Sequence, residues 1–226
     1  MKTVLIGILS KMAKLLPFFN SEMEFKAALS AELIKAGCTG VSFEVSFAIA
    51  PKPTTGSSKY LKIDLATLYK GKKVVIEVKY KTAKMSYTNL FGLTSFLTNQ
   101  GAQDIGRYLV WKDVDRIESL KAAGICDEGY VVFLTNDAAY WNPKASLTID
   151  SKFKDFTVPN QDISWTPVSK TQHVTPFGYE PEKSKFPNFK LSKIYGPCKW
   201  MPYSIVSGQK NGEFKYIIID IYLQKT

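Results

Sequence analysis

YLKIDLATLYKGKKVVIEVKY, residues 60–80, is the stretch that decides the fold. Two runs rich in apolar and β-branched residues, Tyr60 to Leu68 and Lys73 to Tyr80, flank Lys70-Gly71-Lys72. This is the pattern of two strands joined by a tight turn. Each run carries one acid inside an apolar stretch: Asp64 between Ile63 and Leu65, and Glu77 between Ile76 and Val78. Burying an isolated charge is costly, so acids placed this way call for a partner. The turn sets where they meet. With Lys70-Gly71 as the loop residues, Tyr69 pairs with Lys72 and Asp64 falls opposite Glu77. With Gly71-Lys72 as the loop residues, Asp64 falls opposite Lys79. In both registers Asp64, Glu77 and Lys79 share a face, because residues two apart on a strand point the same way.

Directly opposed residues have Cβ atoms about 5 Å apart. Two carboxylates at that range repel, and one titrates at a raised pH unless a cation sits between them. Hard oxygen donors in a partly hydrated site suit Mg²⁺ or Mn²⁺. Such an ion activates water and neutralises a phosphate. Lys79 is placed to orient or deprotonate the attacking water, or to stabilise charge on a phosphorane. The competing reading of Glu77 and Lys79 is a surface row of ion pairs.

The surroundings of this hairpin are strongly basic. Residues 52–84 hold nine lysines and only two acids, Asp64 and Glu77. The whole chain, 226 residues, carries a formal net charge of +10. That excess favours a polyanionic partner, either nucleic acid or an anionic membrane surface. The residue inventory also excludes. A single histidine, His173, rules out sites that need two or more. No Gly-x-Ser-x-Gly elbow exists to serve a Ser-His-Asp triad. Hydrolytic chemistry is left to carboxylates, lysine and a metal ion. Cys38, Cys126 and Cys198 are far apart and odd in number, which argues against a zinc ribbon or a disulfide framework and suits a reducing cytoplasm. The apolar start, Met1 to Phe19, is interrupted by Lys11 and Lys14, and its uncharged run is too short to span a bilayer. A soluble, cytoplasmic protein with no membrane partner is expected, its first segment packed on the core.

Outward from the hairpin, Ser21 to Lys35 reads as a helix. Ser21 is the N-cap, Glu24 completes a capping box, and Phe25, Leu29 and Leu33 recur at helical spacing. Val41 to Phe47 alternates as a strand. Thr98 to Ala123 reads as a second helix, weakened by Gly101 and Gly106. Gly129 to Thr135 is a short apolar run that suits a buried strand. Trp111 and Trp141 read as core. Beyond residue 150 lie seven of the eleven prolines, with aromatics interleaved and a last strand at Phe214 to Tyr222. Helix, three strands, helix, strand indicates an α/β domain: a central mixed β-sheet flanked by helices, with an irregular, partly β C-terminal extension. Residues 1–150 are assigned to the core. Residues 151–226 form a loop-rich extension packed on the same domain.

With Ile63-Asp64 on one strand and Glu77-Val78-Lys79 after the hairpin, between a helix bearing acids and a helix bearing Gln103 and Arg107, residues 20–135 resemble the PD-(D/E)XK nuclease superfamily. The departure is Ile63, which stands where that motif has proline. The resemblance implies a restriction-endonuclease-like core and a metal-dependent nuclease. Asp64 and Glu77 would bind the metal together with the backbone carbonyl of Val78, and Lys79 would assist the water. It implies DNA rather than RNA as substrate, a homodimer that cuts two strands, and a further Glu from the first helix. Glu22 lies in line with Phe25, Leu29 and Leu33 and is preferred to Glu24 and Glu32. Glu44 is a further candidate for the metal or water shell. Gln103 and Arg107, on one helical face, and Lys81, Lys190 and Lys193 are candidate nucleic-acid contacts. The alternative is a catalytically silent nucleic-acid-binding module on the same scaffold.

Overall fold

The computed structural model describes residues 1–49, 60–141, 191 and 199–221. Among these described residues, three α-helices and eight strands follow in the order α1 (Lys2–Leu15), α2 (Glu22–Lys35), β1 (Thr39–Ala48), β2 (Tyr60–Tyr69), β3 (Lys72–Lys81), β4 (Met85–Thr88), β5 (Thr94–Leu97), α3 (Gln103–Ala122), β6 (Glu128–Thr135), β7 (Met201–Ile205) and β8 (Glu213–Ile221). A short 3₁₀ turn, Ala138–Tyr140, follows β6.

Six strands form one mixed sheet in the order β1-β2-β3-β6-β8-β7. β1, β2 and β3 run as an antiparallel meander. β3 and β6 are parallel, which their crossover through α3 permits. β8 and β7 extend the sheet antiparallel beyond β6, so residues 201–221 complete the same sheet as the first half of the chain. β7 is an edge strand and contains Pro202, which an interior strand would not accommodate.

Helices cover both faces. On one side Leu5, Leu9 and Met12 of α1 and Phe25, Leu29 and Leu33 of α2 pack on Leu65, Val74, Ile76, Val78 and Val132. On the other, Val110, Trp111, Val114 and Ile117 of α3 pack on Ile63, Val75, Val131 and Phe133. The even positions of β3 thus face α1 and α2, and its odd positions face α3, as the two-residue repeat of a strand requires. Among the described residues, no helix is long and apolar enough to cross a membrane.

The helix expected over 98–123 begins five residues later. Thr82 accounts for the difference: its hydroxyl donates to the Thr98 carbonyl at 2.6 Å, and its own carbonyl accepts the Gln100 N–H at 2.8 Å. Ala102 then turns the chain with φ +59 before α3 starts. Residues 85–97 form a β4–β5 hairpin, to which the sequence reading assigns no element. Gly106 is a packing residue rather than a flaw in the helix. A Cβ there would lie 2.0 Å from the Tyr140 hydroxyl oxygen, so only glycine lets the 3₁₀ turn close on α3.

Candidate active site at the split between β2 and β3

Lys70 and Gly71 adopt φ +48 and +76, the two positive values of a two-residue hairpin turn, and Tyr69 pairs with Lys72. This is the first of the two registers considered. The ladder runs on through Leu65↔Ile76, and the next pair would be Asp64 and Glu77. There it stops. β2 continues with β1 as far as Tyr60↔Ala48, while β3 continues with β6 as far as Lys81↔Thr135. The two strands part into a fork.

Parting strands leave main-chain N–H groups without ladder partners, and a buried one is costly. Here three carboxylates accept them. Glu77 Oε2 takes the Asp64 N–H at 3.3 Å, Asp64 Oδ2 takes the Val78 N–H at 2.8 Å, and Glu22 Oε2 takes the Tyr80 N–H at 3.0 Å. The N–H and C=O of one strand residue point to the same side, so the Val78 carbonyl is also turned toward the fork.

Asp64 is the pivot of β2. Leu61 and Ile63 pack toward α3, but Leu65 packs toward α1 and α2, so the alternation changes phase at Asp64. Glu44, between the partners of Ile63 and Leu65 on β1, has φ +53, a conformation rare for a non-glycine residue. Local distortion of this kind re-aims a side chain at the edge of a ladder. It explains why Asp64 reaches α2 rather than lying flat in one face with Glu77 and Lys79.

Two helices supply counter-ions. Lys26 of α2 is 6% exposed. Its Nζ lies 2.6 Å from Asp64 Oδ1, 3.0 Å from Glu44 Oε1 and 3.7 Å from Glu22 Oε1. Lys62 holds the other Glu44 oxygen at 2.6 Å. On the opposite face Glu77 is fully buried and meets Arg116 of α3 at 2.7 Å. Lys79 pairs with Asp113 at 2.9 Å, and Arg116 also pairs with Asp113. Glu77 and Lys79 are ion-paired, then, but beneath α3 and not as a surface row.

The titration behaviour follows from this arrangement. Burial pushes the Glu77 carboxyl up, Asp113 beside it adds to the shift, and Arg116 opposes both without outweighing them; the result is about 9. Burial raises Asp113 too, against the pull of Lys79 and Arg116. Burial also works against ionisation of Asp64, but the hydrogen bonds from Lys26 and the Val78 N–H prevail and hold it below the ordinary aspartate value. The Lys62 hydrogen bond, then that of Lys26, lowers Glu44. Burial disfavours the Lys26 ammonium, yet its bonds to Asp64 and Glu44 keep it charged above the ordinary lysine range.

A metal ion can be tested against these donors. Glu77 Oε1 and Asp113 Oδ2 are buried and each already faces a protein cation, Arg116 at 2.7 Å and Lys79 at 2.9 Å. Asp64, Glu77 and the Val78 carbonyl are hard donors, and Mg²⁺ needs only one or two carboxylates beside water and substrate phosphate. To that extent the residues fit. Among the described residues, no group of three His, Cys, Asp or Glu is arranged to hold a metal.

The remaining expectations fall as follows. Glu22 is the first-helix acid that reaches the fork. Glu24 instead accepts from the Asn20 main-chain N–H at 2.6 Å, one residue beyond the capping-box position, while Ser21 accepts the Glu24 N–H at 3.1 Å. Glu32 ties α1 to α2 through Lys11 and pairs with Lys35 of its own helix. Gln103 and Arg107 do share a face, but they bond Asp137 and the Ala139 carbonyl, holding the start of α3 on the 3₁₀ turn. Lys81 ends β3, half-buried. Lys190 and Lys193 lie outside the described residues. Trp111 and Trp141 are core, and Trp200 packs between Phe133 and Trp141.

Lys26, Asp113 and Arg116 are absent from the sequence reading. Their signals are faint. Asp113 interrupts the Val110-Val114-Ile117 stripe, and Lys26 lies one turn after Glu22 beside the Phe25-Leu29-Leu33 stripe. In comparisons with known proteins, no family model, no curated protein and no solved structure matches this chain.

Proposed function

We propose that this chain is a Mg²⁺- or Mn²⁺-dependent nuclease that hydrolyses phosphodiester bonds, in DNA before RNA, with the β2–β3 fork as its active site. The observation that carries this reading is the convergence of Asp64, Glu77, Lys79 and Glu22 where the ladder ends. The order of helix, antiparallel meander, helix and a strand parallel to β3 supports the resemblance to PD-(D/E)XK nucleases, and the +10 charge suits the substrate.

Asp64, Glu77 and the Val78 carbonyl would hold the ion. When bound, it lowers the pKa of water and neutralises charge on the scissile phosphate. Asp113 holds Lys79, whose ammonium would orient the attacking water and balance charge on the phosphorane. Glu22, bonded to the Tyr80 N–H, is held at the same mouth of the fork. A homodimer with one site for each strand belongs to the same proposal.

Supercoiled plasmid is the test. Nicking with Mg²⁺, none with EDTA, and a loss of at least about 100-fold in Asp64→Ala and Glu77→Ala are expected. The second reading, a silent nucleic-acid-binding module, is favoured by one observation: Lys26 Nζ already occupies Asp64 Oδ1. It predicts salt-dependent DNA binding that survives both substitutions, with no nicking under any divalent metal.

A further inference from the structure

The Lys26 ammonium stands where acids from three elements meet: Glu22 from α2, Glu44 from β1 and Asp64 from β2. Its shortest contact, 2.6 Å, is to an oxygen of Asp64, one of the two side chains expected to hold the divalent ion. An ammonium and a divalent cation cannot share a carboxylate oxygen at such range without strong repulsion. Lys26 also has somewhere else to go. Glu44 Oε1 is already within 3.0 Å and Glu22 Oε1 within 3.7 Å, so a small swing of the Nζ keeps two acid partners while releasing Asp64. A compact charge on a flexible four-carbon stem is suited to such a movement, whereas a planar guanidinium is not. Lys62, on the second Glu44 oxygen, keeps that carboxylate in place as the receiving berth.

We propose that Lys26 is an internal cation that competes with the divalent metal for Asp64 and swings to Glu44 and Glu22 when the metal binds, so that it gates metal loading of the site. The proposal rests on the reading of Asp64 and Glu77 as metal ligands.

Two measurements on the full chain test it. The first needs no substitution: acetylation of lysines read by mass spectrometry, with and without saturating Mn²⁺. Lys26 is expected to be protected without metal and to become several-fold more reactive with it. Lys35, largely exposed on the same helix, serves as the internal standard. The second is calorimetric titration of Mn²⁺ into the wild type and Lys26→Met, with folding checked by circular dichroism. The variant is expected to bind at least tenfold more tightly, and binding by the variant alone would support the gate still more strongly. Mn²⁺ binding to the wild type with Lys26 reactivity unchanged or lowered, or with the folded variant binding no more tightly, overturns the gate and leaves the metal site standing. If neither protein binds Mn²⁺, the gate and the metal site fail together. Should Lys26→Met not fold, the acetylation result on the wild type decides.

Discussion

At its turn end the β2–β3 hairpin is closed by main-chain pairing, with Lys70 and Gly71 in the backbone conformation the turn demands. At its far end the strands part, and carboxylates of Asp64, Glu77 and Glu22 take over the main-chain N–H groups. The closed end is held by neutral bonds that largely replace those made to water, each contributing modestly. The open end is held by acidic side chains that basic ones hold in place, from α2 on one side and α3 on the other. A hairpin that stayed zipped would have no such opening. One that parted without its acids would bury bare N–H groups.

The largest expected effect lies at the open end. Asp64→Ala removes the closest partner of the buried Lys26 and frees the Val78 N–H, and should cost about 3 kcal/mol in guanidinium unfolding. A cost no greater than that of a turn substitution would erase the distinction between the two ends. Next comes pH. The Glu77 value of about 9 lies above the ordinary 4.5, so the native state keeps a proton that the unfolded chain has released. Stability without metal should therefore fall as pH rises between those values, with Glu77 contributing at most about 1.4 kcal/mol per pH unit. Thermal unfolding in EDTA from pH 5 to 8 reads this slope. Glu77→Gln, which mimics the neutral carboxyl, should flatten it. A melting temperature that is level across that range in the wild type would mean that Arg116 keeps Glu77 ionised. The smallest effect belongs to the turn: Gly71→Ala, at φ +76, should cost about 1 kcal/mol and leave the pH slope unchanged.

Much of the architecture was legible because it rests on local patterns. The positions Phe25, Leu29 and Leu33 gave α2, Ser21 gave its start, and the apolar run at 129–135 gave β6. The site was legible in part. Glu22 could be preferred among the first-helix acids because it shares a stripe with the core residues. Lys26, Asp113 and Arg116 could not be seen as members. Each meets a fork residue far away in sequence, Lys26 with Asp64, Asp113 with Lys79 and Arg116 with Glu77, and a charged residue on a helix is read as solvated until the opposing surface is known. Gln103 and Arg107 show the converse, since shared spacing gave them a common face but not a place at the fork. The β4–β5 hairpin escaped because its strands are four residues each and carry little periodicity.

The amino-acid sequence by itself determined that residues 60–80 form a hairpin, and that its turn brings Asp64 near Glu77, because turn chemistry and strand repeat act over a few residues. Only the tertiary structure decided that the ladder ends at that pair, that the phase of β2 changes at Asp64, and that a lysine from another helix sits on its carboxylate. Those outcomes depend on how α2 and α3 press charges onto the two faces of the sheet, and that balance is set between segments the chain order keeps far apart.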